Sequence, residues 1–407
     1  MKLVHTSDWH LGKRLCAWDR SDEQEHFLEQ LRGLVSREQP DAFIVAGDIF
    51  DGGAPASETG KLFVDRLLAI QEAAPGMVTV VIAGNHDSYA RLLVDEALWA
   101  HHRVHVFGRP AEDVDGVAVF ADNLVEIPGK GVIAAVPYCA PRNFPSVPGA
   151  AGGDRQSAYF AAIREAAAAA AEQAGGVPTV LAAHLAVGRE TDFTGQDRGM
   201  VIGGEECVEP ASLGAGWDYV ALGHIHCPQF VKGTENRVRY CGTPMPMDFD
   251  EGSRPHGADI VEIAAPGASP AVATERFAPL RAVETLGGSQ GAPFKELLEA
   301  IPSAGFAPGT YLRLRAALAP GELPGTDWPE RARAAAEAAG LRYCRIAAVR
   351  SDASGGAPDA PSFTLDEVSD EQVLGILKAA RQLTDAETDL LRGLLSDLHA
   401  PAKAPND

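Results

Sequence analysis

The chain has 407 residues, 46% of them hydrophobic, which is enough for one large domain with smaller additions. Its formal net charge of −21 argues against binding nucleic acid through bulk electrostatics, so a phosphate substrate has to be held by metals and local basic groups. No apolar run reaches bilayer-spanning length, no signal-peptide pattern opens the chain, and the six cysteines include no Cys-x-x-Cys pair. Together these predict a cytoplasmic protein with reduced thiols, no membrane association and no thiolate metal site.

Lys2 to Thr6 reads as a first strand, followed by Ser7-Asp8-Trp9-His10-Leu11-Gly12. Asp8 and His10 are two apart, so in an extended segment they point the same way. Asp22 to Gln39 reads as a helix, with Phe27, Leu28, Leu31, Leu34 and Val35 on one apolar face. The apolar strand Ala42 to Ala46 then runs into Gly47-Asp48-Ile49-Phe50-Asp51, and a helix from Ser57 to Ala74 leads to the strand Met77 to Ile82. That strand ends in Ala83-Gly84-Asn85-His86-Asp87. The alternation predicts a buried parallel βαβ sheet, the kind that collects ligands at its strand C-termini.

A helix from Leu92 to Trp99, several short strands and a strand from Val132 to Val136 follow. The alanine-rich stretch Gln156 to Gln173 reads as a helix, and the strand Val177 to Ala183 ends in His184. A polar loop, Gly188 to Gly204, carries Arg189 and Arg198. The strand Trp217 to Leu222 closes in Gly223-His224-Ile225-His226, and Arg237 to Gly242 leads into a proline-rich turn, Thr243 to Glu251. Two more strands, Ala258 to Ile263 and Val272 to Phe277, complete a domain over residues 1–280. Residues 281–352 read as a small α+β unit: a helix near Phe294 to Ile301, a strand from Tyr311, a helix from Pro329 and a strand from Leu341. A linker, 353–367, precedes a helix pair at 368–400. Capping boxes at Ser369 and Thr384 start its helices, and its apolar stripes suit docking to a partner's helices.

The strand-end residues Asp8, His10, Asp48, Asn85, His86, His184, His224 and His226 come from five segments read as one parallel-type sheet. Carboxylate and imidazole donors without thiolate suit Mn²⁺, Fe²⁺ or Zn²⁺. Eight such residues are too many for one ion with an open position, but they suffice for two metals sharing one carboxylate, with a histidine spare for the leaving group. That is the equipment for hydrolysing a phosphoester.

Asp-x-His, Gly-Asp-x-x-Asp, Gly-Asn-His-Asp, a lone His and Gly-His-x-His, in this order, resemble the calcineurin-like two-metal phosphoesterases. The Trp9 and Tyr240-Cys241-Gly242 segments narrow the resemblance to SbcD-like DNA nucleases. The resemblance implies an α/β metallophosphoesterase sandwich with a small α+β capping, DNA-recognition domain and a C-terminal helical pair. It implies one metal on Asp8, His10, Asp48 and His226, and a second on Asp48, Asn85, His184 and His224, with Asp48 bridging. His86 becomes the catalytic histidine, paired by Asp87 or another acid. The family favours two Mn²⁺, with Mg²⁺ or another divalent ion possible, and degrades DNA as a 3′→5′ exonuclease on duplex ends and an endonuclease on single strands and hairpins. Its members form homodimers and assemble as heterotetramers with SbcC, an SMC-like ATPase, in DNA repair and recombination. No nucleotide is expected on this chain, which lacks a glycine-rich phosphate loop with lysine. Lys13, Arg14, Arg142, Arg189 and Arg198 are candidates for local DNA contacts. The competing readings are a two-metal phosphodiesterase acting on a small or cyclic nucleotide, and a non-catalytic scaffold.

Overall fold

Fully apolar strands need cover on both faces, and here a second sheet covers one face while helices cover the other. The structure is a computed structural model that describes residues 1–149, 154–188, 207–319 and 323–350. The strands are β1 (Lys2–Thr6), β2 (Ala42–Ala46), β3 (Val78–Ile82), β4 (Val104–Phe107), β5 (Leu124–Ile127), β6 (Gly131–Val136), β7 (Thr179–His184), β8 (Tyr219–Gly223), β9 (Gln229–Phe230), β10 (Val238–Tyr240), β11 (Gly257–Glu262) and β12 (Ala271–Arg276). They form two six-stranded sheets, ordered β12-β11-β1-β2-β3-β4 and β5-β6-β7-β8-β10-β9. In the first, β1 to β4 run parallel; in the second, β6, β7, β8 and β10 do.

Leu3, Ile44 and Val80 from the first sheet pack against Ile133, Val180 and Tyr219 from the second. On the first sheet's other face, α1 (Ser21–Glu38) and α2 (Ser57–Ala73) bury Phe27, Leu31, Phe63 and Leu67. The expected helix from Leu92 to Trp99 is two short pieces, α3 (Tyr89–Leu92) and α4 (Glu96–Trp99). The break lets both Leu92 and Trp99 reach the core while Val94 and Leu98 stay exposed. On the second sheet, α5 (Arg155–Gln173) buries Tyr159, Phe160 and Ile163. The metallophosphoesterase sandwich is therefore the fold observed. The reading of all strand ends as one sheet is corrected: β1 to β3 belong to one sheet, β7 and β8 to the other. An apolar strand is buried on both faces in either arrangement, so its sequence does not distinguish them.

A third, parallel sheet joins β13 (Val283–Leu286), β14 (Tyr311–Leu318) and β15 (Arg342–Arg350). With α6 (Phe294–Ala300) and α7 (Trp328–Ala338) it encloses a separate core of Phe294, Leu297, Leu312, Leu314, Ala332 and Ala336. Polar contacts tie it to the sandwich: Trp18 Nε1 donates to the Tyr343 carbonyl at 2.9 Å, and Tyr311 Oη donates to Glu23 at 2.8 Å. The linker and helix pair at 353–400 and the loop bearing Arg189 and Arg198 lie outside the described residues.

Candidate metal centre

The ends of β1, β2, β3, β7 and β8 converge. Asp8 (φ 53°), His10 (φ 44°), Asp48 (φ 51°) and His224 (φ 100°) all have positive φ, which non-glycine residues rarely adopt. Asp8 and His10 therefore do not share the face of an extended strand, as their spacing predicted; left-handed turns bring them in. Such residues cost on the order of 1–3 kcal/mol each and persist only where the surroundings fix them. Here Asp8 N donates to the Gly47 carbonyl (2.9 Å), His10 N to the Asp48 carbonyl (3.0 Å) and His224 N to Asp8 Oδ1 (3.0 Å). Trp9 is the anchor between the first two. It is fully buried beside Phe27, Phe43 and Phe63, and its Nε1 donates to Thr6 Oγ1 at 3.0 Å. Gly84 is required for the close approach, because a Cβ there would sit 2.1 Å from Asp48 Oδ1.

Asp8, His10, Asp48, His184, His224 and His226 are buried, while Asn85 and His86 are half-buried at the edge. Among the described residues, potential ligand atoms lie within 4.8 Å of one another in three groups: Asp8, His10 and His226; His10, Asp48 and His86; Asp8, Asp48 and His184. Asp48 is common to the last two. His10 Nε2 is 3.2 Å from His226 Nε2, and Asp48 Oδ2 is 3.7 Å from His10 Nε2 and 3.5 Å from His184 Nε2. Asn85 Oδ1 is 3.0 Å from His184 Nε2 and 3.1 Å from His224 Nδ1. All eight strand-end residues are thus linked through side-chain donor atoms. His86 in addition donates its backbone N–H to Asp48 Oδ1 (2.9 Å) and packs its ring 5.0 Å from that of His10.

A second layer assigns the tautomers. His184 Nδ1 donates to the Ala46 carbonyl at 2.8 Å, and His226 Nδ1 to Glu251 Oε1 at 2.8 Å, which leaves each Nε2 with a lone pair directed by its support. Neutral His184 then turns a lone pair toward the carbonyl oxygen of Asn85, a contact that only a proton or a cation makes favourable. Burial works against a charged His184, but the Asp48 carboxylate outweighs it and raises the pKa to about 9. His224 is pushed the other way, to about 3, by burial and then by His184. Burial would raise Asp48, yet the imidazoles of His184 and His10 hold it well below the usual carboxylate range. Among the described residues Asp48 Oδ2 has no hydrogen-bond partner although it is fully buried. A buried carboxylate oxygen without a donor is costly, and imidazole lone pairs aimed at it make the donor set fit divalent cations.

Asp87 differs from its expected role. Its carboxylate accepts N–H bonds from Ile49 (3.0 Å), Phe50 (2.9 Å) and Gly84 (2.9 Å), so it clamps the two strand-end loops together. Burial, and then the charge of Asp48, raise its pKa to about 6. The partner of His86 Nδ1 is instead the backbone carbonyl of Asp51, at 3.1 Å. Three fixed amide donors hold the Asp87 carboxylate more firmly than one half-exposed imidazole could. Glu251 carries no signal of its own in the sequence: it lies in the proline-rich turn, nine residues beyond Gly242, and nothing local marks it. Asp51 was visible in Gly-Asp-x-x-Asp but given no role. Its Oδ1 is 3.5 Å from His10 Nδ1 and 2.9 Å from Lys13 Nζ, so Lys13 is occupied by an acid. His5 and His256 are buried with polar partners, Tyr219 and Thr243, in keeping with packing roles.

A family model described as calcineurin-like phosphoesterase matches residues 1–228. The chain is 31% identical to the D component of the nuclease SbcCD of Rhodobacter capsulatus over 369 residues, covering 86% of this chain and 88% of that one. It is 32% identical to the corresponding component of the Bacillus subtilis nuclease, covering 66% of this chain and 67% of the relative. For the Escherichia coli K12 counterpart the identity is 35%, over 62% of each chain.

Proposed function

The chain belongs to the SbcD family of calcineurin-like phosphoesterases and is a metal-dependent phosphodiester hydrolase of the nuclease type; we propose that it is the Mn²⁺-dependent DNA-cutting component of a complex with an SMC-like ATPase. It acts as a 3′→5′ exonuclease on duplex ends and an endonuclease on single strands and hairpins. The observation that carries this reading is Asp48, a buried carboxylate within reach of donors from both sheets.

Asp8, His10, Asp48 and His226 would hold one ion; Asp48, Asn85, His184 and His224 the other. Bound there, the ions supply an activated water and neutralise charge on the phosphoryl oxygens. The chain does the rest. Asp48, placed between the two donor sets, fixes their separation. The left-handed turns at Asp8 and His224 and the Asp87 clamp keep the donors from relaxing apart. His86 stands at the half-buried rim with Nδ1 bonded to the Asp51 carbonyl, so its Nε2 is the nitrogen available to carry a proton to the leaving oxygen as the P–O bond breaks.

The third sheet would cap this site and contribute to DNA recognition, and residues 368–400 would dock the ATPase. ATP belongs to that partner. Tyr89 and Leu98 on two short helices, and Val94 in the turn between them, are 52%, 64% and 74% exposed, an apolar surface suited to a second copy. A homodimer there should dissociate in Leu98→Glu, measured by sedimentation velocity; an unchanged mass would remove this surface from consideration. Among the described residues no helix is long and apolar enough to cross a membrane, and we place the complex in the cytoplasm.

The test is an end-labelled linear duplex with Mn²⁺, using wild type and His86→Ala. The wild type should shorten the labelled strand from its 3′ end, and His86→Ala should lose about 10²–10⁴-fold in rate while still binding metal. Full activity in His86→Ala would take that role from His86. An intact duplex beside rapid hydrolysis of a cyclic nucleotide would overturn the nuclease reading in favour of a small substrate.

A further inference from the structure

The turn from Pro246 to Glu251 touches a proposed metal ligand at one end and the third sheet along its length. Glu251 is 4% exposed. Its Oε1 accepts the His226 Nδ1 proton at 2.8 Å, and its Oε2 accepts the Met247 N–H at 2.7 Å. Its own carbonyl accepts from His256 Nε2 at 3.0 Å, so the residue is held at both ends. One residue earlier, Asp250 Oδ1 accepts from Arg313 Nη2 at 2.6 Å and lies 3.3 Å from Arg315 Nη2, both on β14. Asp248 accepts from Arg345 Nη2 on β15 at 2.9 Å. Between these acids the Phe249 ring packs against the Arg313 and Arg345 guanidiniums, at 5.1 and 5.4 Å from its centroid. Arg20 Nη1 pins the start of the turn by donating to the Pro246 carbonyl at 2.6 Å.

We propose that Glu251 is a positioning residue for His226, and that the third sheet sets its placement through the Asp250–Arg313 pair. The proposal rests on the reading of His226 as a metal ligand. A carboxylate behind a ligating imidazole fixes the Nδ1–H tautomer, aims Nε2 and makes the ring a stronger donor. The aim here is toward His10 Nε2, 3.2 Å away. Glu251 cannot shift alone: its backbone follows Asp250, whose partner Arg313 is 6% exposed and has little freedom to move. The third sheet is thereby part of the support of the metal centre.

Calorimetric titration of Mn²⁺ into the metal-stripped full chain tests this, with wild type, His226→Ala, Glu251→Gln and Asp250→Asn side by side. The visible spectrum of the Co²⁺-loaded forms serves as a second readout. His226→Ala should lose one equivalent of tight Mn²⁺. Glu251→Gln should keep both equivalents with one weakened about 10–100-fold and a changed Co²⁺ spectrum. Asp250→Asn should weaken the same ion several-fold. A folded Glu251→Gln that binds both ions as the wild type does, beside a His226→Ala that loses one, overturns the role of Glu251. If His226→Ala keeps both, the ligand reading falls instead. An unaltered Asp250→Asn removes the third sheet from the proposal. Should Glu251→Gln not fold, Glu251→Asp keeps the charge but withdraws it from His226; unaltered Mn²⁺ affinity there overturns the proposal equally.

Discussion

The two sides of the proposed metal centre are built from similar residues but carry different charge. Around His10 and His226, the donors include the Asp8 carboxylate, Glu251 backs His226, and Asp51 Oδ1 lies 3.5 Å from His10. Around His184 and His224, the non-histidine donor is the neutral Asn85, and the group behind His184 is a backbone carbonyl. Asp48 is the acid assigned to both sides; Asp8, assigned to the first, also has a carboxylate oxygen within 4.8 Å of donor atoms of Asp48 and His184. The difference shows that counting histidines is a poor guide to metal affinity. The supporting groups decide how basic each imidazole is and how much cationic charge the pocket can neutralise. The side backed by Glu251 should hold its ion more tightly, and the Asn85 side should release its ion first to a chelator.

The largest effect should come from the residue whose loss erases the difference between the sides. Asp48→Ala should abolish tight binding of both ions and lower kcat/KM by at least about 10²–10³-fold, as loss of a central charge-stabilising group does. Mn²⁺ stoichiometry from equilibrium dialysis checks it; one ion retained at full affinity would show that the sides do not share Asp48. A smaller and more pointed change is Asn85→Asp, which puts a carboxylate on the neutral side. The ion released first should then bind about tenfold more tightly, roughly 1.4 kcal/mol, because local anionic charge is what that side lacks. Calorimetry reads it directly, and an unchanged second affinity would break the explanation by charge.

The convergence of these residues was legible because they stand in short motifs at strand ends, where residue type and spacing carry the signal. Asp8, His10, Asp48, Asn85, His184, His224 and His226 were all named from their segments, and the structure brings them together. What was not legible depends on distance or on backbone conformation. The split between two sheets is invisible to a strand that is buried on both faces. The positive φ of Asp8 and His10 replaces the strand alternation that their spacing suggested. Asp87 looked like a partner for His86 because the two are adjacent, yet three backbone amides hold it. Glu251 meets His226 across 25 residues of chain, and only the folded turn shows it.

Both sides draw donors from both sheets, and a buried contact elsewhere joins those sheets. His5 on β1 places Nδ1 3.0 Å from Tyr219 Oη on β8, with His5 fully buried. Burial, and then the charge of Arg239, lower the His5 pKa from 6.5 to about 3. The sign follows from where the proton binds. Below pH 6.5 the unfolded chain protonates this histidine while the folded chain does not, until the pH nears 3. Its contribution to stability is therefore fully present above pH 6.5 and falls as the pH drops toward 3, at no more than about 1.4 kcal/mol per pH unit. Replacing the ring with an uncharged amide, His5→Gln, removes that dependence while keeping a polar group near Tyr219. Urea unfolding at pH 7 and pH 5 should show the wild type losing about 1–2 kcal/mol more than the variant over this interval, whatever the other groups do in both. Equal losses would mean that His5 is protonated in the folded protein. The contact between the sheets would then be a charged one, and the neutral imidazole assigned to it here would be wrong.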